Sequence, residues 1–552
     1  MKNSIVKKMF LLAAGLLLLV SGAASAQTYY VGTNGSDPAG SGTRSSPWAT
    51  IGYGLNRLSG GDTLVVLPGT YRGSANFIND RMYNIPSGTA GNYTTIKAET
   101  PFSVRLESNT SLGYWDNMLA VQGQYINVDG FIFNMTNTLT PSHVGEISGS
   151  YIKLTRVIFR RAGDIDEYGG WLYVGGSYNL IEDCAGVGAA RYGFETGGPN
   201  SNANHNIFRR CVGRVDYSNS PQPKATFAMY GNNSGSNARD VLYQNCIAID
   251  GRRGPSGSED TYGGFYFPKN AAGVKIQGSI VLNNEAGHAG YFIKELQGSD
   301  ITLENSIAWG IYGGQWTVGV RANGSTGSPL ILDHVTIGAS PFSYWNQDSA
   351  VSRILRNSLF YDNGGTSPIG DYGWSPNTNN AFRPANQAQG NNAITQGVSL
   401  KYIVRPEAGS VLDGAGTDGK PVGASVTKRY GVSGTLWGEP GFDIETSEEL
   451  WPWAYENVIK SVFSESNPPP AGNVPSTNNT TRGFCATGND QWGQPMTLTR
   501  YIWQYLGNQI PASVYSGGGS GGSTGGGSGG GTVPDTTPPA APTGLVVIVS
   551  NG

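Results

Sequence analysis

One apolar segment that ends in a small or polar residue recurs along the chain, and this repeat constrains the fold more than any other feature. Its copies are YINVDG, YIKLTRV, NLIEDC, NIFRRC, VLYQNC, VKIQGS, ITLENS, LILDHV and RILRNS. We call the last residue of each copy its corner, and the corners are Gly130, Val157, Cys184, Cys211, Cys246, Ser279, Ser306, Val335 and Ser358. Successive corners are 27, 27, 27, 35, 33, 27, 29 and 23 residues apart, a period typical of a solenoid.

Each repeat is predicted to consist of strands. It contains two or three short runs of alternating apolar residues, separated by Gly, Asn and Asp, with no stretch of helical length. A single coil cannot bury its inward side chains, so coils stack about 4.8 Å apart into long parallel sheets. Nine corners predict a rod of roughly 40 Å. Asn245, Asn305 and Asn357 each precede a corner, where they are expected either to form an amide ladder or simply to favour the turn.

The repeat resembles the right-handed parallel β-helix of the pectate-lyase-like superfamily, over roughly residues 28 to 393. Three further segments, YYVGTNGSD (29–37), SPWATI (46–51) and GDTLVVLPGTY (61–71), resemble the opening of many secreted β-helix proteins. The resemblance implies an all-β fold, a right-handed parallel β-helix with a small helical C-terminal region. It specifies the fold better than the activity.

The composition fits a turn-rich β protein. The chain contains 82 Gly and 29 Tyr, and only 14% of its residues are charged. Its formal net charge of −3 argues against the basic surface that nucleic acid requires, so we expect no nucleic-acid partner.

Three of the four cysteines occupy successive corners. Cys184, Cys211 and Cys246 are expected to lie one coil apart, within the Cα range that a disulfide tolerates. Side chains in register point the same way, however, so a buried stack of free thiols is the alternative. Cys485 lies outside the solenoid and is expected to be unpaired. None of the cysteines has the paired spacing of a zinc site.

The N-terminus predicts export. Lys7 and Lys8, the apolar run 11–20 and the small residues 24–26 are typical of a secretory signal peptide, which we assign to residues 1–26. No other apolar stretch is long enough to span a bilayer. We therefore expect a secreted protein, extracellular or at the cell surface, without a membrane span.

The C-terminus predicts a linker and part of a second module. Residues 516–534 are mostly Gly and Ser and are expected to form a flexible coil with a reach of about 23 Å. The following segment, DTTPPAAPTGLVV, resembles the first strand of a fibronectin type III module. Residues 535–552 are too few for such a sandwich of roughly 100 residues, so we expect a truncated module, with a vestigial tail as the alternative.

Between these ends we expect the β-helix over residues 27–393 and a C-terminal capping region over residues 394–515. Residues 48–58 predict an amphipathic helix that closes the N-terminal end of the rod, because open sheet edges are usually covered. In the capping region, residues 453–463 and 499–506 predict two helices. Aromatic residues there are expected to pack against the rod, with glycan stacking as the alternative: Trp451, Trp453, Trp492, Trp503 and Tyr505.

The resemblance implies a groove along one sheet of the rod. We place its strands at residues 171–174, 193–196, 226–230, 264–269, 290–295 and 316–320. Outward aromatic and polar side chains suit sugar rings, although aromatic residues favour sheets in any case. The candidate substrate-binding residues are Tyr173, Arg191, Tyr230, Tyr266 and Glu295.

Two coils are longer than the others, and their extra residues fall mostly in 214–224 and 250–264. These loops and the acidic loop 160–170 precede the groove strands and are expected to form a wall beside them. Stacking would bring their carboxylates together, and carboxylate oxygens bind Ca²⁺. The candidate calcium ligands are Asp164, Asp166, Asp216, Glu259 and Asp260, with a solvated charged loop as the alternative.

The resemblance to β-helix lyases implies a reaction if the ligand is a uronate-containing polysaccharide. Ca²⁺ and arginine would neutralise the uronate carboxylate, and a basic side chain would remove the C5 proton for β-elimination. The candidate catalytic residues are Lys269, Lys294 and Arg252. A lysine would need a lowered pKa to act as a base at neutral pH.

A glycoside hydrolase would instead need two carboxylates that flank the glycosidic bond. The chain holds only fragments of polygalacturonase-like motifs, at residues 287–289 and 292–294, and it lacks the pectate-lyase Trp-Ile-Asp-His run. Its four histidines fall on different coils: His143, His205, His288 and His334.

Three functions therefore remain. We favour binding of extracellular polysaccharide without turnover, in an adhesive or matrix role, because the Gly/Ser linker leads to an adhesive-type module. A polysaccharide lyase that acts on uronate-containing glycans is the alternative, and a glycoside hydrolase is the third. Fold alone does not decide among them. The identity of the glycan and the oligomeric state stay open.

Overall fold

The structure, a computed structural model, describes most of the chain between residues 26 and 516. The described ranges are 26–108, 117–136, 143–161, 169–198, 201–217, 224–231, 238–252, 263–268, 272–285, 289–293, 301–313, 318–322, 329–346, 353–364, 373–465 and 480–516.

Within these ranges the strands of the rod form three parallel sheets, and each full coil contributes one strand to each sheet in turn. Sheet 1 has 13 strands: Thr28–Val31, Thr63–Val66, Thr94–Ala98, Ile126–Asp129, Lys153–Thr155, Leu180–Glu182, Asn204–Arg209, Arg239–Gln244, Val274–Gln277, Ile301–Glu304, Leu330–Asp333, Arg353–Arg356 and Trp374–Thr378. Sheet 2 has 12: Gly69–Arg72, Val104–Glu107, Phe131–Met135, Ile158–Arg161, Ala185–Ala189, Val212–Tyr217, Ile247–Ile249, Ile280–Leu282, Ile307–Trp309, Thr336–Gly338, Leu359–Tyr361 and Ala381–Arg383. Sheet 3 has 10: Ile78–Asn79, Leu119–Val121, Gly145–Ile147, Leu172–Val174, Tyr192–Gly197, Ala225–Tyr230, Gly263–Phe267, Ala289–Ile293, Val318–Ala322 and Phe342–Asn346.

This arrangement is a parallel β-helix, which confirms the predicted fold class. Thirteen strands at a spacing of about 4.8 Å make sheet 1 about 58 Å long, longer than the nine corners predicted. The rod gains length because the coils before residue 125 and after residue 358 belong to it as well, although they lack the repeated segment.

At eight of the nine corners, the residue before the corner turns the chain from sheet 1 into sheet 2, and at the first corner Gly130 itself takes this place. The backbone there is left-handed, with φ of 90° at Gly130, 53° at Asp183, 50° at Arg210, 50° at Asn245 and 52° at His334. Residues other than glycine adopt this conformation rarely, and Asn, Asp and His do so most often. Because the same bend recurs at the same place, successive coils stay in register.

The three asparagines before corners do not form the predicted amide ladder. Asn245 Nδ2 donates to the Lys428 carbonyl and Asn305 Nδ2 donates to the Ser425 carbonyl, both at 3.1 Å. Because a glycine and a histidine take the equivalent places in the intervening coils, these asparagines are never in adjacent coils. Their side chains therefore connect the rod to the C-terminal region.

The corner residues form the ladder instead. Ser279 Oγ accepts from the Cys246 amide at 3.0 Å, and Ser306 Oγ accepts from the Ser279 amide at 3.2 Å. These buried hydroxyls satisfy backbone donors that the turn removes from the sheets. Cys184, Cys211 and Cys246 are buried and unbridged at the equivalent corners, as is Cys485 outside the rod.

The interior of the rod is filled by side chains that stack on their equivalents. Phe194, Phe227, Phe265 and Tyr291 of sheet 3 form a continuous column of rings, with centroids 5.4, 4.7 and 5.0 Å apart. All four rings are buried. Their spacing is close to that of the coils, so each ring packs on the one below it.

A short helix, Ile51–Leu55, packs on the first strands of the rod within the segment predicted for it. Thr50 caps it, because Thr50 Oγ1 accepts from the Tyr53 amide at 3.3 Å. Ile51 and Leu55 are fully buried in the core. Among the described residues, no helix has both the length and the apolar character that crossing a membrane requires.

The C-terminal region covers a flank of the rod, whereas we predicted that it caps an end. Two of its helices, Glu456–Ser464 and Leu498–Trp503, overlap the predicted segments. Its apolar side chains form one cluster with the outward residues of sheet 2, which the repeat pattern did not mark as buried. Trp451, Trp453 and Trp503 belong to this cluster, so their predicted packing against the rod is confirmed.

The remaining elements are short. An antiparallel hairpin joins Lys428–Tyr430 to Glu445–Glu449. The other helical turns are Ser74–Asn76, Ala385–Gln387, Gly483–Cys485 and Ser513–Ser516.

A buried charge network joins sheet 2 to the C-terminal region, and it contains Asp216. Asp216 Oδ1 contacts Arg214 Nε at 2.8 Å and Arg482 Nη2 at 2.7 Å, and Arg214 Nη2 donates to the Phe463 carbonyl at 2.7 Å. Burial alone would raise the pKa of Asp216, but the two arginines outweigh it and hold the pKa below its usual range. Asp216 therefore belongs to the interface with the C-terminal region, and its prediction as a groove calcium ligand is wrong.

Replacing Asp216 with alanine is expected to destabilise the fold by about 3–5 kcal/mol, because Arg214 then stays buried without its carboxylate. Since the folded state lowers the pKa of Asp216, its contribution is present above the unfolded pKa of about 3.9 and is lost as the pH falls through the folded value. Urea unfolding at neutral pH and at acidic pH measures both effects.

Glu448→Ala is the control for an exposed ion pair. Glu448 pairs with Arg429 at 3.1 Å, but 65% of the Glu448 side chain is exposed, so its loss is expected to cost less than about 1 kcal/mol. An Asp216→Ala variant as stable as this control would contradict the role of the buried network.

Candidate functional site

The described parts of the strands predicted to form the groove lie in sheet 3. Register places their outward residues in one column. Glu146 pairs with Tyr173, Tyr173 with Glu195, Glu195 with Ala228, and Ala228 with Tyr266. Distant parts of the sequence therefore share one outward surface, as the repeat predicts.

The N-terminal part of this surface is open and the part that follows it is covered. The side chains of Glu146 and Glu195 are 17% and 12% exposed, whereas Tyr192 and Tyr266 are only 3% exposed. We call the first part the open face, formed by His143, Glu146, Tyr173 and Glu195. We call the second part the closed cluster, an apolar group formed by Tyr192, Ala225, Ala228, Tyr266, Ala289 and Val318.

His143 binds Glu195 across an intervening coil. His143 lies two residues before Gly145–Ile147, and its Nε2 is 3.1 Å from Glu195 Oε2. In the coil between them, Gly170 is in line with His143. A Cβ at Gly170 would lie 2.7 and 2.9 Å from two ring atoms of His143. The pair therefore forms because a glycine leaves room for the imidazole.

The bond to Glu195 fixes the protonation pattern of the imidazole. A carboxylate can only accept, so Nε2 carries the hydrogen and donates. In the neutral ring the lone pair is then on Nδ1. His143 can thus accept a proton at Nδ1, and Glu195 stabilises the imidazolium that forms.

Tyr173 lies beside this pair and is suited to donate a proton. Its ring centroid is 5.7 Å from that of His143. Burial raises the pKa of Tyr173, and the neighbouring charges of Glu195 and Glu146 raise it further. The phenol therefore stays protonated at neutral pH.

Hydrogen bonds connect the open face to Arg81 at its N-terminal edge. Arg81 Nη2 donates to Glu146 Oε1 at 2.5 Å and Arg81 Nη1 donates to Asn117 Oδ1 at 3.0 Å. Asn117 Nδ2 in turn donates to the His143 carbonyl at 2.8 Å. Because Asn117 is buried, this network holds the backbone of His143 in place.

The structure places four of the predicted substrate-binding residues on or beside sheet 3. Tyr173 is on the open face, Tyr266 is in the closed cluster, and Tyr230 packs against that cluster. Arg191 lies at the boundary between the two parts. Its guanidinium is 4.8 Å from the Tyr192 ring centroid, and its Nη2 donates to the Tyr192 hydroxyl at 3.3 Å.

Arg252 lies in the loop between sheet 2 and sheet 3, where its amide donates to the Val215 carbonyl at 2.9 Å. It is not on the outward surface of sheet 3. The other predicted site residues lie outside the described residues: Lys269, Lys294, Glu295, Asp164, Asp166, Glu259 and Asp260.

The calcium site stays a prediction for the four candidate ligands outside the described residues, Asp164, Asp166, Glu259 and Asp260. Within the described ranges, no group of three or more His, Cys, Asp or Glu side chains is arranged to hold a metal ion. Asp216 does not fit such a site, because two arginines already neutralise it.

The sequence analysis missed His143 and left Glu195 without a role. Glu195 was inside a predicted groove strand, and only its partner was unknown. His143 gave no pattern of its own, since the histidines fall on different coils and the pair depends on Gly170 in a third coil. A histidine before a groove strand, followed by a glycine at the same place in the next coil, is the sequence pattern that would have found it.

Known proteins share only a remote likeness with this chain. No protein-family model matches the chain, and no curated protein matches it with significance. Among solved structures, pectate lyase Pel9A has 17% identity and a TM-score of 0.43, covering 72% of this chain and 93% of its own. A rhamnogalacturonan lyase has 15% identity and a TM-score of 0.42, covering 69% and 91%.

An alginate lyase from Paenibacillus sp. str. FPU-7 has 15% identity and a TM-score of 0.39, covering 61% of this chain and 98% of its own. Likeness at this level assigns neither a reaction nor a substrate to the chain.

Replacing Gly170 with alanine is expected to separate His143 from Glu195. The added Cβ would lie 2.0 Å from the Tyr192 carbonyl oxygen and would crowd the imidazole, so we expect a loss of about 1–3 kcal/mol in stability. In NMR spectra the hydrogen-bonded imidazole N–H resonance of His143, identified by its loss in His143→Gln, should disappear.

Gly419→Ala serves as the control, because its Cβ would meet no atom within 4 Å and only its left-handed backbone, with φ of 79°, resists the change. That cost is about 1–2 kcal/mol, and the His143 resonance should persist. Persistence of the resonance in Gly170→Ala would contradict the proposed geometry.

Proposed function

We propose that the open face cleaves a uronate-containing extracellular polysaccharide by β-elimination. The observation that carries this proposal is the His143–Glu195 pair beside Tyr173, which provides a proton acceptor and a proton donor on one surface. The predicted signal peptide, residues 1–26, fits a substrate outside the cell.

In the first half of the reaction, Nδ1 of His143 takes the C5 proton, which is acidic because it is α to the uronate carboxylate. The electron pair of that C–H bond forms the double bond between C4 and C5. Glu195 accepts from Nε2 of His143 and stabilises the imidazolium, so the base remains oriented throughout.

In the second half, the bond from C4 to the glycosidic oxygen breaks and the oxygen needs a proton. The phenol of Tyr173 supplies it, since its raised pKa keeps it protonated until the leaving oxygen is basic enough to accept. The products are one new reducing end and one unsaturated end. The proton on His143 then returns to the phenolate of Tyr173 through solvent.

The uronate carboxylate must be neutralised before C5 can lose its proton. Arg81 and Arg191 are guanidinium groups at the two ends of the open face, and guanidinium binds carboxylate through paired hydrogen bonds. Lys269 and Lys294 remain alternative bases by prediction, outside the described residues.

Binding without turnover is the second candidate, because the partly exposed Tyr173 provides an aromatic ring on the open face and sugar rings pack well on aromatic faces. Hydrolysis also has an observation in its favour. Glu146 and Glu195 are two coils apart in one column, so their Cα atoms are about 9.6 Å apart, close to the carboxyl separation of inverting hydrolases. Both carboxylates are engaged, however, Glu146 by Arg81 and Glu195 by His143.

The test incubates the protein with alginate, pectate, chondroitin and heparin, with and without Ca²⁺, and measures ultraviolet absorbance of unsaturated ends together with new reducing ends. A lyase produces both in equal amounts. His143→Gln is expected to lower kcat by about 10²–10⁴-fold, and Tyr173→Phe by about 10²-fold, because each removes one proton-transfer group.

His205→Gln is the matched control, since His205 stacks on Tyr178 at 4.6 Å and lies outside sheet 3. Its activity should equal that of the wild type. Reducing ends without absorbance would favour hydrolysis. Glycan retardation on affinity gels without any product would favour binding alone, and full activity in His143→Gln would remove His143 as the base.

A further inference from the structure

We infer that the open face accepts the end of a uronate chain and does not admit the interior of a long chain. The inference rests on the proposed lyase activity and adds the mode of attack to it. It follows from the way in which the surface of sheet 3 is open at one end and covered at the other.

The closed cluster begins in the strand of Glu195, with Tyr192, and continues in the next coil. The outward residues of that next coil include Ala225 and Ala228, which are too small to keep their neighbours apart. The rings of Tyr192 and Tyr266 therefore meet above them, with centroids 6.0 Å apart. These two rings form a wall across the path that a glycan would follow along the sheet.

The cover continues beyond this wall. Ala289 is fully buried and Val318 is 1% exposed, although both face away from the core of the rod. Arg321, in the outward column of Glu146 and Glu195, is only 6% exposed. A sugar chain that lies on the open face therefore has no continuous surface of sheet 3 to follow past Tyr192.

The open face itself is short. From the coil of Arg81 to that of Glu195 it spans about four coil spacings, or roughly 19 Å. Arg81 is exposed at the other limit, so the remainder of a polymer can leave in that direction. The site is therefore open to a chain at the Arg81 end and closed by the rings of Tyr192 and Tyr266 at the opposite end.

A cation is fixed at that wall. The Arg191 guanidinium stacks on the Tyr192 ring and donates to its hydroxyl, which holds it beside the place where the terminal sugar would stop. A carboxylate is the group that complements a guanidinium. The terminal residue that this site selects is thus a uronate.

The first test needs only the wild-type protein and polyuronates of several lengths, compared at the same concentration of chain ends. Attack at ends predicts a rate per end that does not change with length, one small product from the start, and a slow fall in viscosity. A rate that rises in proportion to length, with products of mixed size, would overturn the inference while leaving the lyase activity intact. An absence of product from every polyuronate would overturn both.

A second test removes the wall. Tyr192→Ala is expected to broaden the product sizes, because an internal segment can then pass beyond Glu195. Tyr312→Ala is the control, since Tyr312 is 46% exposed in the loop after sheet 2 and should keep the single small product. An unchanged product size in a folded Tyr192→Ala variant would contradict the inference that the rings of Tyr192 and Tyr266 block the glycan chain.

If Tyr192→Ala does not fold, Arg191→Met provides the second variant. It should raise KM for chain ends by about tenfold, because one charge-assisted hydrogen bond to the bound substrate is lost. It should also lower kcat, because Arg191 helps to neutralise the uronate carboxylate before C5 loses its proton. An unchanged KM would overturn the assignment of Arg191 to the terminal carboxylate.

Discussion

Parallel hydrogen bonding between successive coils is the constraint on which the rest of this structure depends. It fixes the spacing of neighbouring coils and requires every residue to lie over its equivalent. Side chains that tolerate their own kind are therefore stacked: rings such as Phe194 on Phe227 inside the rod, and hydroxyls such as Ser279 on Ser306 at the corners. The register decides which residues meet, and the chemistry of each stack follows from it.

Charged residues cannot stack on their own kind, and the columns of sheet 1 show how the chain resolves this. Arg209 is completely buried between Glu182 and Gln244. Its Nη1 contacts Glu182 Oε1 at 3.1 Å, and its Nε donates to Gln244 Oε1 at 2.8 Å. The Val432 carbonyl accepts a further bond at 2.9 Å. A buried arginine is tolerated because every neighbour in register, and the C-terminal region above it, offers an acceptor. The packing of the C-terminal region on the rod thus depends on the order of charged residues in successive coils as well as on the apolar surface that is buried.

The repeat in the sequence was sufficient to predict the coils, the corners and the strands of sheet 3, because these depend on local alternation and on spacing. It could not predict that sheet 2 is covered, since its outward residues, such as Ile280, read as ordinary strand residues until the C-terminal region packs on them. For the same reason Asp216 was misplaced: its partner Arg482 is distant in sequence and outside the repeat. Tyr173 was found because its role depends on its own coil and face. His143 was not, because its partner lies two coils away.

The candidate site lies where equivalent positions of successive coils do not carry similar side chains. If every outward position of sheet 3 carried a large side chain, His143 would touch only the neighbouring coil. Gly170 removes that contact and lets the imidazole pass to Glu195, so that one coil supplies the base and another supplies the group that orients it. Ala225 and Ala228 act in the same way on the following coil and let Tyr192 meet Tyr266. Small residues in a rigid solenoid thus decide which distant side chains meet, and a single methyl group at Gly170 is enough to separate the proposed base from its carboxylate.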